Sequence, residues 1–178
     1  MTCITGLVNK EKGYVVMGAD SLASSTNSTI HRKDKKIFRL GDFVVGCTTS
    51  YRMTQIIQFS FVPPQIKDKD LFEYMCTDFV NKLIECFEEN LYSRKYDGQI
   101  DGGTFIIAYK DRLFKIYDDF QVAESQLGYH SCGSGEEYAL GSLYTSKELK
   151  TKDRVIEAIK AASYFSPTVG GEIHIITT

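Results

Sequence analysis

Met1-Thr2-Cys3-Ile4-Thr5-Gly6-Leu7-Val8, then Asn9-Lys10-Glu11-Lys12-Gly13, then Tyr14-Val15-Val16-Met17-Gly18-Ala19-Asp20 is the stretch whose reading decides the fold. Two apolar runs of strand length flank a polar segment that ends in glycine. Residues 2–8 and 14–18 therefore read as a hairpin, with Asp20 ending its second strand. The pattern continues outward. Residues 36–40 alternate, Gly41-Asp42 turns, and residues 43–47 return, while the Ser/Thr-rich stretch 21–29 reads as a loop or a short strand. Four short strands in under fifty residues make a sheet.

The period then changes. Met53, Ile56, Ile57 and Phe61 fit one face of a helix that Pro63-Pro64 stops. From 71 to 91, apolar residues including Leu71, Met75, Phe79, Leu83 and Phe87 recur at threes and fours, with Asp68 or Asp70 available to cap the start. The stripe is broad enough to cover a sheet. After the polar residues 92–101 and Gly102-Gly103, residues 104–109 and 113–117 form a second hairpin, and 120–127 add a further strand. Ser131-Cys132-Gly133-Ser134-Gly135 leads into a helix through Tyr138 and Leu143. A second helix spans about 151–165, and a strand at 172–177 closes the chain. Two strand blocks and two helix blocks bury most simply as an α+β, four-layer αββα sandwich, two packed antiparallel sheets with helices on both outer faces. The 178 residues suit a single domain, 1–178.

A net charge of -2 with 25% charged residues carries no basic excess, which points away from nucleic acid and anionic membranes. No apolar run approaches the ~20 residues of a membrane span. The start carries neither a basic region nor an apolar signal core, so a cytoplasmic protein without a leader is expected. Cys3, Cys47, Cys76, Cys86 and Cys132 are odd in number and widely spaced, and His31, His130 and His174 form no cluster with them. Neither a disulfide scaffold nor a local zinc motif is expected, and no cofactor or metal is called for.

The opening residues matter chemically because removal of Met1 would leave a threonine at the amino terminus. Such a residue carries nucleophile and base together, since a free α-amine titrates near ~8 and can take the hydroxyl proton. Cys3, on the opposite face of the strand, reads as core. The other polar residues have ordinary readings too. Asp20 suits a turn, Lys36 lies in a Lys-rich segment, and Ser134 or Ser131 could cap a helix.

Thr2, Gly18-Ala19-Asp20, Lys36-Ile37-Phe38-Arg39-Leu40, Phe43-Val44-Val45-Gly46 and Gly133-Ser134-Gly135 together resemble the β-type subunits of the proteasome and its simpler bacterial relative, a double-ring protease under an ATP-driven unfoldase. The resemblance runs in order over nearly the whole chain and implies the same αββα sandwich with an N-terminal nucleophile that hydrolyses amide bonds. By that resemblance the nucleophile falls on Thr2, the buried carboxylate on Asp20, the active-site lysine on Lys36 and the serine near the amine on Ser134. The oxyanion amide falls at Thr48 or Thr49, and family members usually carry Gly or Ala there. Late in the chain Ser166 stands where the family has an aspartate and Val169 where it has a serine. The resemblance further implies a peptide or unfolded-protein substrate, a homo-oligomeric ring and an ATPase unfoldase as partner. A threonine peptidase is the leading reading. A weakened or inactive proteasome-like structural subunit is the alternative, and a small-molecule amidase using Cys3 is a third.

Overall fold

The computed structural model describes residues 2–24, 28–92, 94–96 and 99–178. Strands β1 (Ile4–Asn9) and β2 (Tyr14–Ala19) pair antiparallel, with Ile4 opposite Ala19 and Asn9 opposite Tyr14. The Ser/Thr-rich stretch holds a small hairpin, β3 (Leu22–Ser24) with β4 (Thr29–His31), and β5 (Ile37–Leu40) pairs β6 (Phe43–Cys47). Helix α1 spans Tyr51–Phe59. The long amphipathic segment is α2 (Leu71–Tyr74), a π-helical turn (Met75–Phe79) and α3 (Val80–Glu89) in succession. Asp70 caps it, its carboxylate accepting from the Phe72 and Glu73 amides at 2.8 and 3.3 Å.

The polar stretch after it, left without an element in the sequence, contains the hairpin β7 (Arg94–Tyr96) and β8 (Gln99–Asp101). Then come β9 (Phe105–Tyr109), β10 (Arg112–Ile116) and β11 (Val122–Glu124). Strand β12 (Tyr129–Cys132) occupies residues that read in the sequence as the approach to a turn. Helices α4 (Glu136–Thr145) and α5 (Thr151–Phe165) and strand β13 (His174–Thr177) complete the chain.

One sheet has the order β12-β1-β2-β13 and the other β11-β10-β9-β6-β5, both antiparallel. Period-2 alternation sorts each strand between two interiors. From β6, Val44 packs between the sheets with Ile4, Met17 and Ile106, while Phe43, Val45 and Cys47 turn outward onto Met53, Phe79 and Phe87 of α1–α3. From the other sheet, Cys3, Leu7 and Val16 pack on Ala139, Val155 and Ile159 of α4 and α5. Three interlayer cores separate four layers, the αββα sandwich. The sheets approach closely where side chains are absent, since a Cβ on Gly46 would stand 2.6 Å from Ile4. Among the described residues no helix is long and apolar enough to cross a membrane.

Candidate active site

Asp20 lies one residue beyond β2 and is fully buried. Its Oδ1 accepts from the Cys3 amide at 2.9 Å and from the Lys36 ammonium at 2.8 Å, and its Oδ2 accepts from the Gly170 amide at 3.1 Å. Lys36, one residue before β5, also donates to the Leu22 carbonyl at 2.7 Å. Burial lowers the Lys36 pKa from its ordinary value, and the Asp20 charge opposes that shift. A buried ion pair is tolerated only when its remaining polar atoms are satisfied, and two backbone amides and a carbonyl do that here. The hairpin β3–β4 thus leaves Asp20 and reaches Lys36 around a fixed charge pair.

Above this floor, the backbone of Thr2 is held by the Gly133-Ser134-Gly135 turn. The Thr2 nitrogen donates to Ser134 Oγ at 3.2 Å, and the Gly135 amide donates to the Thr2 carbonyl at 3.2 Å. With Met1 attached that nitrogen is a peptide N–H, and it marks where the α-amine of a trimmed chain would sit. Gly133 has φ 97°, and a Cβ there would meet the Thr2 carbonyl oxygen at 2.2 Å, so only glycine lets the turn come this near.

Helix α4 starts from Gly135 with no side-chain cap, so neither serine takes the capping part that the sequence left open. Ser131 belongs to β12, where it donates to the Ile4 carbonyl at 2.9 Å and meets the Thr5 hydroxyl at 3.1 Å. Both hydroxyls are buried, and with the Ser131 proton given to Ile4, Ser131 Oγ is left to accept from Thr5.

The facing wall is the segment after β6. Thr2, Lys36, Cys47, Thr48, Thr49, Ser50, Tyr51 and Thr54 surround a cavity of about 30 Å³, room enough for water. The Thr48 amide and hydroxyl both bind the Thr104 carbonyl, at 3.2 and 2.9 Å. Thr49 stands at φ 59°, and the Ser50 amide closes a tight turn over it onto the Thr48 carbonyl at 2.6 Å. A β-branched residue there costs ~1 to 2 kcal/mol. The Thr49 hydroxyl accepts from the Thr104 amide at 3.1 Å, while its own amide donates to nothing among the described residues. Of the two threonines proposed as the oxyanion amide, only Thr49 keeps an uncommitted N–H.

Cys3 packs on the α4–α5 side, and burial pushes its thiol up to about 11, which makes it a poor nucleophile. Residues that the sequence did not single out also meet here. Thr168 Oγ1 lies 3.0 Å from Ser134 Oγ and 3.0 Å from Ser166 Oγ. Val169, which reads as a missing hydroxyl, is buried with the α4–α5 core. On the opposite wall the Arg32 guanidinium stacks 3.8 Å over the Tyr51 ring while pairing with Asp34 at 2.8 and 2.6 Å. Thr168 was legible only as a hydroxyl lying between the two departures at 166 and 169. The described residues contain no group of three or more His, Cys, Asp or Glu placed to hold a metal ion.

The layers and their connections are those of a four-layer αββα sandwich, and solved structures share them. Among solved structures, BPH of Thiobacillus denitrificans, alone and in complex with epoxomicin, is similar at TM-score 0.81 and 23% identity over 98% of this chain and 97% of that one. Eukaryotic HslV from Trypanosoma brucei is similar at TM-score 0.70 and 14% identity, over 99% of this chain and 98% of that one. The Gly-1 mutant of Anbu from Hyphomicrobium sp. strain MC1 gives TM-score 0.72 and 14% identity, over 100% of this chain and 81% of that one. No protein-family model matches the chain, and no curated protein matches it. At these identities the likeness is one of fold.

Proposed function

We propose that this chain is a threonine-type peptidase subunit, one domain over residues 1–178, whose nucleophile is Thr2 once Met1 has been removed. The observation that carries the reading is the single cleft in which Thr2, Lys36 and Thr49 meet above the buried Asp20 carboxylate. The α-amine takes the Thr2 hydroxyl proton, and Oγ attacks the peptide carbonyl carbon. The oxyanion that forms accepts from the Thr49 amide, and the Lys36 charge beside it favours the alkoxide and the oxyanion alike. Collapse breaks the C–N bond, and the α-ammonium hands its proton to the departing amine. Water, deprotonated by the same amine, then releases the acyl group as an acid and restores Thr2. Asp20 keeps Lys36 charged and oriented, and Ser134 holds the amine.

The substrate class is a peptide or an unfolded protein. From the resemblance carried by the sequence motifs we infer further a homo-oligomeric ring with an ATP-driven unfoldase as partner, in the cytoplasm. Tyr164 and Phe165, 84% and 63% exposed at the end of α5, supply apolar surface for such assembly. Light scattering on the purified chain reads the assembly directly.

The test of the nucleophile uses epoxomicin, the ligand of one similar structure. Intact mass first establishes removal of Met1. The trimmed chain then gains one epoxomicin mass at Thr2, and Thr2→Ala gains none and hydrolyses no peptide while keeping its oligomeric size. A fully trimmed chain that forms no adduct and cleaves nothing would leave the structural-subunit reading in its place.

A further inference from the structure

Ser134 is exposed, yet it is the partner of the Thr2 nitrogen. An exposed hydroxyl turns its proton among water and neighbours, and two directions compete at this position. If Ser134 Oγ accepts an amine N–H, the amine lone pair stays free for the Thr2 hydroxyl. If Ser134 instead donates into that lone pair, it occupies the base. The choice depends on where else the Ser134 proton can go.

The structure offers one strong destination. Thr168 Oγ1 lies 3.0 Å from Ser134 Oγ, against 3.4 Å for the Thr2 carbonyl, and Thr168 is in turn 3.0 Å from the hydroxyl of Ser166. Ser166 is 7% exposed, and its amide is fixed to the Ala162 carbonyl at 2.9 Å where α5 ends. The row therefore runs from a buried, anchored hydroxyl, through a half-buried one, to the exposed one at the amine. Hydrogen bonds in a row polarise one another, and each proton passed toward Ser166 makes Ser134 Oγ a better acceptor.

We propose that Thr168 is a positioning residue that acts through Ser134, drawing the Ser134 proton away from Thr2 so that the α-amine donates to Ser134 and keeps its lone pair for its own hydroxyl. This rests on the reading of Thr2 as the nucleophile. It assigns to neutral hydroxyls the place where a carboxylate and a second serine were expected from the resemblance. Titratable and charged side chains around the cleft are Lys36, Asp20, Cys3, Cys47 and Tyr51, with the Arg32–Asp34 pair behind Tyr51 on the far wall. Glu136, next along α4, is paired with Lys115 at 2.5 Å, and residues 166–170 contribute no titratable group.

The test reads the amine itself. On protein beginning at Thr2, the rate of α-amine labelling by cyanate is followed against pH by intact mass and peptide mapping, and its midpoint reports the amine pKa. In Thr168→Val the Ser134 proton is free to point at the lone pair, which favours the neutral amine, so the midpoint falls by about half a pH unit or more. Thr168→Ser restores it, and epoxomicin addition slows on the order of tenfold in the valine variant alone. Should the valine chain fold poorly, Ser166→Ala shortens the row at its far end and gives a smaller fall in the same direction. An unchanged midpoint in folded Thr168→Val or, where that chain does not fold, in Ser166→Ala overturns the proposal, and so does an equal fall in Thr168→Val and Thr168→Ser. Labelling requires no peptide cleavage, so loss of the peptidase reading and loss of the hydroxyl row are told apart.

Discussion

The floor and the rim of the cleft hold Thr2 by opposite physics. The floor is a buried ion pair, Lys36 with Asp20, fixed by the Cys3 and Gly170 amides and the Leu22 carbonyl. The rim is a row of neutral hydroxyls, Ser134, Thr168 and Ser166, running from solvent inward. Charges taken out of water must be satisfied or the fold suffers, whereas a hydroxyl near solvent can exchange its partner for water at little cost. The floor should therefore be read in stability as well as chemistry, and the rim in chemistry alone.

The sharpest way to break that comparison is at Asp20. Asp20→Ala leaves the Lys36 ammonium buried without its carboxylate and two amides without an acceptor, and is expected to lose ~3 to 5 kcal/mol in denaturant unfolding. Lys36→Met leaves Asp20 with its two amides, so its loss should be smaller, about 2 to 3 kcal/mol, while epoxomicin addition at Thr2 is lost by a factor on the order of a hundred or more. If the two variants unfold alike, the amides contribute nothing to the floor.

Acid stability sharpens the comparison from a third place, the strand that leads to the rim. His130 on β12 has an unpartnered Nε2 among the described residues, and burial, aided by Lys115, lowers its pKa to about 4 from 6.5. Between those values the unfolded chain takes up a proton that the folded chain refuses. Stability is then complete above pH 6.5 and is lost as the pH falls toward 4, by about 3 kcal/mol at most. His130→Gln should flatten that part of the stability profile. A slope that survives the substitution belongs to other groups.

The smallest structural effect is expected at the rim. Ser134→Ala should change unfolding free energy by no more than about 0.5 kcal/mol, because the serine is exposed, yet slow epoxomicin addition on the order of tenfold. A stability loss near that of Asp20→Ala would erase the distinction between the two regions.

Much of the fold was legible because the patterns that define it are local. The 151–165 periodicity corresponds to α5, and Asp70 caps α2 as one of the two residues the sequence offered. The hairpin β7–β8 was not legible, since strands of three residues, Arg94–Tyr96 and Gln99–Asp101, are too short for an alternation to be read. Strand β12 was hidden because Ser131 and the glycines after Cys132 look like turn chemistry. Within the site, Thr2, Asp20, Lys36 and Ser134 were each named from the chain, but the choice between the Thr48 and Thr49 amides depended on which one Thr104 occupies.

By itself the sequence determined the layers of this protein, because period-2 and period-3.6 patterns state which face of each element avoids water. It also marked the residues able to carry charge or a nucleophile. Tertiary structure alone decided which of them meet. Asp20 and Lys36 pair across 16 positions, Ser134 and Thr168 across 34, and Thr2 reaches Ser134 across 132 because β12 lies beside β1 in the sheet. A hydrogen bond is made or lost within a few tenths of an ångström, and no pattern along the chain specifies distance that finely.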